Sequence, residues 1–390
     1  MIRCCMDTKK RKYYPILFIG ALYFIAACGS EDTSHSTIKE APDYRNASAR
    51  LGVEVKQLDK ISKHGRLKIL GWSGNYWPTY KGGIANRWQE NNFGNSYHDY
   101  LYDVLTLEEV NRLDQEALNK LSPAEKYDLY LGNKDFPITK REKRAVRNAV
   151  NSNGIVPYWF GLCHGWAPAA IFENAGPGNS VEVVSRDNHK LKFYASDLKA
   201  LMVRVYADAN TGSYFLGGRC NDSTLERDLN GRPIKSECRD ANPASLHMVL
   251  DHYISRLKMG FVADIVIDSE VWNQPIVGYD FTYSNYRDLA DDPSYRHAAA
   301  GTKRLVDVDL QMEYLQESSP SRELVNPLTS STHLQYTLEL DKNDYIIGGE
   351  WLSRQHPDFL WQMRRKPDRA GDSSLDYSVI QELWKKSHRI

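Results

Sequence analysis

The residues best suited to chemistry lie in one stretch, Trp159-Phe160-Gly161-Leu162-Cys163-His164-Gly165-Trp166-Ala167-Pro168-Ala169-Ala170. A turn carrying Gly161 runs into a cysteine, and small, helix-compatible residues follow it. A thiol so placed would sit at a helix N-terminus. There the helix dipole and unpaired backbone N–H groups lower a thiol pKa and supply donors to an oxyanion. Nucleophilic attack on an acyl carbon is the chemistry this permits. The plainer reading of one Cys in an apolar run is a core residue or half of a disulfide.

The other cysteines bear on that choice. Cys220 and Cys238 enclose a polar loop with an Asn230-Gly231 turn. A bridge closing so short a loop would contribute about 3 kcal/mol, and it would leave Cys163 unpaired. No cysteine stands at CxxC spacing, so zinc is not expected. The Asp-rich turns at Asp291–Asp292 and Asp341–Asp344 read as solvated loops. No metal site and no cofactor are expected.

A thiol nucleophile needs a base and a group to orient it. His247 stands in Asn242-Pro243-Ala244-Ser245-Leu246-His247, and Asp264 follows within the apolar run Phe261–Ile267. An Asp flanked by Val262, Ala263, Ile265 and Val266 needs a partner, because a lone buried carboxylate is costly. The order Cys163, His247, Asp264 is that of papain-like enzymes, whose nucleophile also begins a helix. Against this, His247 adjoins the apolar stripe of a possible helix, whereas papain-like enzymes carry this His on a strand. Asp264 also has a purely structural reading. Asn273 is the alternative orienter; His164, His252, His297 and His333 are less well placed.

The elements that must position these residues can be read from periodicity. Gly71–Gln89, with three Trp and four Gly, reads as an irregular packed segment. Leu107–Leu118 is helically periodic, and Ser122-Pro123-Ala124-Glu125 and Thr139-Lys140-Arg141-Glu142 carry capping-box spacing. Strand-like runs at Val181–Val184 and Lys190–Tyr194 precede a helix-like Asp197–Tyr206. Pro243–Leu257 repeats with Leu246, Val249, Leu250, Tyr253 and Leu257 on one face. Phe261–Ile267 reads as a buried strand, and Arg304–Leu315, His333–Leu340 and Tyr345–Trp351 read as late strands, the last two as a hairpin. The fold class expected is α+β. Residues 51–150 form a mainly helical N-terminal part and 151–390 a catalytic part, the two making one composite domain.

The composition, 390 residues with 42% hydrophobic, allows a sizeable core and excludes disorder over most of the length. The balance of 50 basic against 50 acidic residues gives no reason to expect a nucleic-acid partner. The first residues alter that balance. A basic cluster, Lys9–Lys12, precedes an apolar run of 15 residues, Tyr13–Ala27, ending in small residues before Cys28. This is the plan of a secretory signal, and the run is short for a membrane span. Ile25-Ala26-Ala27-Cys28 resembles a bacterial lipobox, so residues 1–27 are expected to be removed and Cys28 lipidated. Gly29 after Cys28 points to the outer membrane of a Gram-negative envelope. Removing residues 1–27 takes five positive charges (Arg3, Lys9, Lys10, Arg11, Lys12) and one negative (Asp7) from 50 and 50. That leaves 45 and 49, a net of −4. Residues 28–50 are polar and aperiodic and read as a flexible tether.

Val271-Trp272-Asn273-Gln274-Pro275-Ile276-Val277-Gly278-Tyr279 resembles the elicitor segment of the transglutaminase elicitor family, found in oomycete cell-wall proteins and bacterial relatives. Gly161–Ala170 is similar to that family's nucleophile motif, as are the runs at Tyr76–Gly83 and Ile346–Trp361, the last containing His356-Pro357-Asp358-Phe359-Leu360-Trp361. The resemblance spans most of Tyr76–Trp361. It implies calcium-independent protein-glutamine γ-glutamyltransferase activity on a distantly papain-like fold, with protein substrates bearing Gln and Lys. Cys163 would attack the Gln carboxamide, His247 would serve as base, and Asp264 or Asn273 would orient it. Trp272 and Pro275 would shape the site, with Trp166 beside it. Trp72, Trp77, Trp88 and Trp159 would help exclude water or serve as ordinary core. Two other readings stand beside this one. The same residues with water as acceptor would make a cysteine peptidase or glutamine deamidase. A surface lipoprotein would use the segment at Trp272 for recognition alone.

Overall fold

The computed structural model describes residues 48–88, 96–219, 224, 226–228, 233–267, 270–295, 298–371 and 374–389. Residues 1–27 and Cys28, most of the segment 28–50, Cys220 and His297 lie outside the described residues, so the expectations attached to them are not addressed by the fold. Among the described residues no helix is long and apolar enough to cross a membrane.

The segment 48–88 is irregular, as its aromatic and glycine content suggests. It holds short 3-10 turns at Leu58–Lys60, Thr79–Lys81 and Gly83–Ala85 and the strand β1 (His64–Arg66). Trp72 and Trp77 are buried within it. Helices follow: α1 (Leu107–Val110), α2 (Gln115–Lys120), α3 (Pro123–Tyr130) and α4 (Pro137–Ala149). The capping box expected at Ser122 is present in full, with Ser122 and Glu125 satisfying each other's backbone N–H. The box expected at Thr139 is absent. Thr139 lies inside α4, where its hydroxyl donates to Asp128 Oδ2 at 2.9 Å. The helix instead begins after Phe136, held at φ 49°.

The second half begins with α5 (Cys163–Phe172), the hairpin β2 (Val181–Val184) and β3 (Lys190–Phe193), and α6 (Ala195–Ala207). Next come β4 (Ser213–Gly217), α7 (Pro243–Leu250) with a π-helical continuation to Leu257, and β5 (Phe261–Asp264). The remainder is β6 (Asn273–Asp288), β7 (Arg304–Leu315), β8 (Thr329–Leu340), β9 (Ile346–Trp351), β10 (Phe359–Met363) and the C-terminal α8 (Tyr377–Ser387). The fold is α+β. Among the described residues one eight-stranded antiparallel sheet runs β4-β10-β5-β6-β7-β8-β9, with β1 also on β6.

β6 is the spine of that sheet. Its residues 273–276 pair with β5 and residues 278–280 with β1, while its other edge follows β7 for most of its length. Its first seven residues are all buried, and only then does the exposed side emerge. Helix α5 packs on this buried start and on α6. Gly165 permits the second contact, because a Cβ there would collide with the Val203 carbonyl and Ala207. Helices of the two halves meet in the core. Lys126 of α3 and Asp197 of α6 form a fully buried ion pair at 2.7 Å. Trp88 Nε1 and Tyr194 N also donate to Asp197, each at 2.7 Å, so both carboxylate oxygens are satisfied.

Candidate active site

Cys163 is the first residue of α5, and no side chain caps that helix start. The N–H groups of a helix's first turn have no intrahelical acceptor, so the thiol lies where backbone donors converge. Local geometry holds it there. Leu162 N donates to Tyr76 O at 2.5 Å and Thr79 N to Phe160 O at 2.7 Å, pinning the turn onto the 76–79 segment. Gly161 is required for that approach, since a Cβ would stand 2.5 Å from Tyr76 Cδ2.

Cys163 is free and 5% exposed. Asn273 Nδ2 donates to Sγ at 3.4 Å, and the thiol in turn donates to Val271 O at 3.6 Å. Asn273 is itself fixed, because Trp361 Nε1 of β10 donates to its Oδ1 at 2.7 Å. Burial pushes the thiol up to about 11. The Asn273 side chain and backbone pull it down, and the charges of Glu317 and Asp264 push it further up. At rest the sulfur therefore keeps its proton.

Asp264 ends β5 directly across from Asn273 in the β5–β6 pairing. It is fully buried, and its Oδ1 accepts from Trp272 N at 3.0 Å. The carboxylate thus holds the 271–273 wall against the thiol. Behind it lies an acid cluster absent from the sequence reading. Asp358 N donates to Asp264 O at 3.1 Å. The Asp358 carboxyl is raised, first by burial and then by Asp240 and Asp264. His356 Nε2 meets Asp240 Oδ2 at 3.0 Å while its ring stacks on Trp351 at 4.7 Å. His356 and Asp358 belong to the run already noted at Ile346–Trp361; what was missing was any sequence cue that this run returns to the cysteine as β10.

The fold does not bring His247 to this site. Its Nδ1 meets Tyr336 Oη at 2.8 Å, its Nε2 meets Tyr283 Oη at 3.1 Å, and its ring stacks on Phe281 at 3.9 Å. Phe281 is eight residues along β6 from Asn273, roughly 26 Å at the rise of an extended strand. The ring is buried and its pKa falls to about 3. His247 is thus a core imidazole saturated by two tyrosines, and the expectation of a base at this position is corrected. The cue that misled was chain order; the apolar stripe around it was the better guide. His164 is likewise held low, to about 4, by burial and then Arg204.

The aromatic residues divide. Trp272, next to Asn273, forms an aromatic group with Tyr76 edge-on at 5.5 Å and Tyr158 at 6.1 Å. Trp272 Nε1 donates to Glu270 Oε2 at 3.0 Å, and Tyr158 Oη donates to the same carboxylate. Trp166 is fully buried and donates to Trp72 O at 3.3 Å, so it is core. Pro275 is buried within β6 opposite Val262. Cys238 is buried, but its expected partner Cys220 lies outside the described residues. Among the described residues no group of three His, Cys, Asp or Glu is arranged as a metal site.

The described residues thus place a free, buried thiol at a helix start, against Asn273 of β6. The chain belongs to the transglutaminase elicitor family, whose description is "Transglutaminase elicitor" and which matches residues 46–390. It is similar to a solved structure, the GP42 transglutaminase from Phytophthora sojae. The two share 25% identity with a TM-score of 0.63, covering 89% of this chain and 98% of that one. No curated protein matches the chain.

Proposed function

We propose that the chain is a protein-glutamine γ-glutamyltransferase in which Cys163 is the nucleophile. The observation that carries this is the free, buried Cys163 at the start of α5, hydrogen-bonded by Asn273. Sγ attacks the carboxamide carbon of a Gln side chain, and the helix-start N–H groups receive the oxyanion. The sulfur's proton passes to the leaving nitrogen as the C–N bond breaks. Ammonia departs and a thioester remains. A lysine amine then forms the C–N bond, the C–S bond breaks, and Cys163 regains a proton. Asn273 and Asp264 serve as positioning groups, and the lid of Trp272 and Tyr76 limits competition from water.

Incorporation of a fluorescent primary amine into a Gln-rich protein tests the reading: uptake by the wild type and none by Cys163→Ala supports it. Ammonia release without uptake would mean a glutamine deamidase instead. The lipobox reading supports a bacterial envelope location through lipid on Cys28, and Cys28→Ala should release the protein from the membrane fraction. The Cys220–Cys238 bridge is part of the same secreted-protein reading.

A further inference from the structure

Just after β7, Glu317 sits in an unusual position. Its neighbour Ser318 is tied to the segment that braces the nucleophile: Ser318 N donates to Gly74 O at 2.8 Å, and Asn75 Nδ2 donates to Ser318 O at 3.4 Å. Two residues on, Tyr76 O accepts from Leu162 N. Ser318 thus anchors the chain next to Glu317 onto the 74–77 segment that braces Cys163, while Asn273 reaches the thiol from β6. The charge of Glu317 bears on both Cys163 and Tyr76. Its Oε1 is buried with no hydrogen-bond partner among the described residues. A buried carboxylate oxygen without a donor is costly, and such groups in folded proteins call for an explanation.

Building on the transferase reading, we propose that Glu317 is the acceptor residue, binding the ammonium of a lysine side chain beside the Cys163 thioester and taking its first proton. The second step of the reaction requires such a group. An alkylammonium is not nucleophilic, and it must lose a proton in a site from which water is largely excluded. Burial raises the Glu317 carboxyl to about 7, which suits a base at neutral pH. In the step itself, R–NH3+ gives one proton to Glu317. The free amine attacks the thioester carbonyl and the C–N bond forms. The C–S bond then breaks, and the second amine proton passes to the departing sulfur. The products are the isopeptide, neutral Glu317 and Cys163 thiol; Glu317 then returns its proton to solvent. A carboxylate that attracts a cation would also favour an amine over water as acceptor.

Two acceptors separate this role from a structural one. N-acetyl-lysine methylamide arrives as a cation, whereas hydroxylamine is already neutral at neutral pH and needs neither a counter-charge nor a base. Rates on a Gln peptide are normalised to the thioester burst, which counts only folded, acylated sites. Glu317→Gln should lower kcat/KM for the lysine derivative by about 10²-fold, while transfer to hydroxylamine changes by less than about threefold and ammonia release in the first step persists. The lysine rate of the wild type should rise with pH through the Glu317 titration, and that of Glu317→Gln should lose this limb. Equal loss toward both acceptors, loss of the thioester burst, or no loss at all would overturn the assignment. If the wild type forms a thioester but transfers it to neither acceptor, the transferase reading itself fails.

Discussion

Replacing Glu317 by Gln should stabilise the protein above neutral pH, and the size of the effect follows from its environment. Burial lifts this carboxyl from an ordinary 4.5 to about 7. Between those values the unfolded chain has released its proton while the folded chain still holds it, so stability falls as pH rises through that window. Below the lower value the group is neutral in both states and contributes no penalty. Above the upper value the full penalty applies, corresponding to roughly 3 kcal/mol and reduced to about 2 kcal/mol by partial solvent access. Gln has nearly the same shape, and the buried Oε1 has no donor to lose. Urea unfolding monitored by tryptophan fluorescence should give Glu317→Gln a gain of about 2 kcal/mol at mildly alkaline pH, shrinking toward zero below the unfolded carboxyl pKa. A gain independent of pH, or none, would refute the reasoning. The gain would come with a loss of amine transfer, the usual relation between a strained active site and stability.

Other substitutions test neighbouring parts of the account. Asn273→Ala removes the donor that lowers the Cys163 pKa, so the pH midpoint for alkylation by iodoacetamide should move upward and kcat should fall about 10²-fold; an unchanged alkylation profile would contradict the contact's role. His247→Phe leaves the Tyr283 and Tyr336 hydroxyls without the imidazole and should cost about 1–3 kcal/mol. Its activity per folded molecule should stay near wild type, and loss of all turnover in a folded variant would restore His247 as base. Lys126→Met strands the Asp197 charge in the core and should cost about 3–5 kcal/mol in urea unfolding. Much of that should return in Lys126→Met/Asp197→Leu, and additive losses in the double variant would argue against coupling.

Much of the fold was legible where one periodicity ruled a segment. Ser122 and Glu125 announced α3, and the long alternating runs announced β7 and β8. Thr139 failed as a cap because α4 begins earlier, after Phe136, and Asp128, 11 residues back, accepts its hydroxyl. The strand reading of Phe261–Ile267 overran at Asp264, where the chain leaves the sheet to build the wall at Trp272. In the candidate site, Cys163 was legible because its place at a helix start depends on local neighbours. Asp264 was legible as a carboxylate out of place in an apolar run and Asn273 as the alternative orienter; β5–β6 pairing sets them opposite each other, and Asn273 reaches the thiol. The partners of His247 were not legible, since they come from β6 and β8 at long separation. Glu317 lies in a polar run, Gln316–Ser319, that looks like any solvated turn; only the packing of 74–77 against Ser318 marks it.

In the proposed reaction Cys163 carries the acyl group between glutamine and amine. Intact-mass analysis of the full chain, incubated with a Gln peptide without amine and quenched in acid, tests this directly. The wild type should carry an adduct of the peptide less ammonia, located on Cys163, discharged when a primary amine is added, and absent from Cys163→Ala. Ammonia release that continues in Cys163→Ala, with no adduct on the wild type, would contradict it.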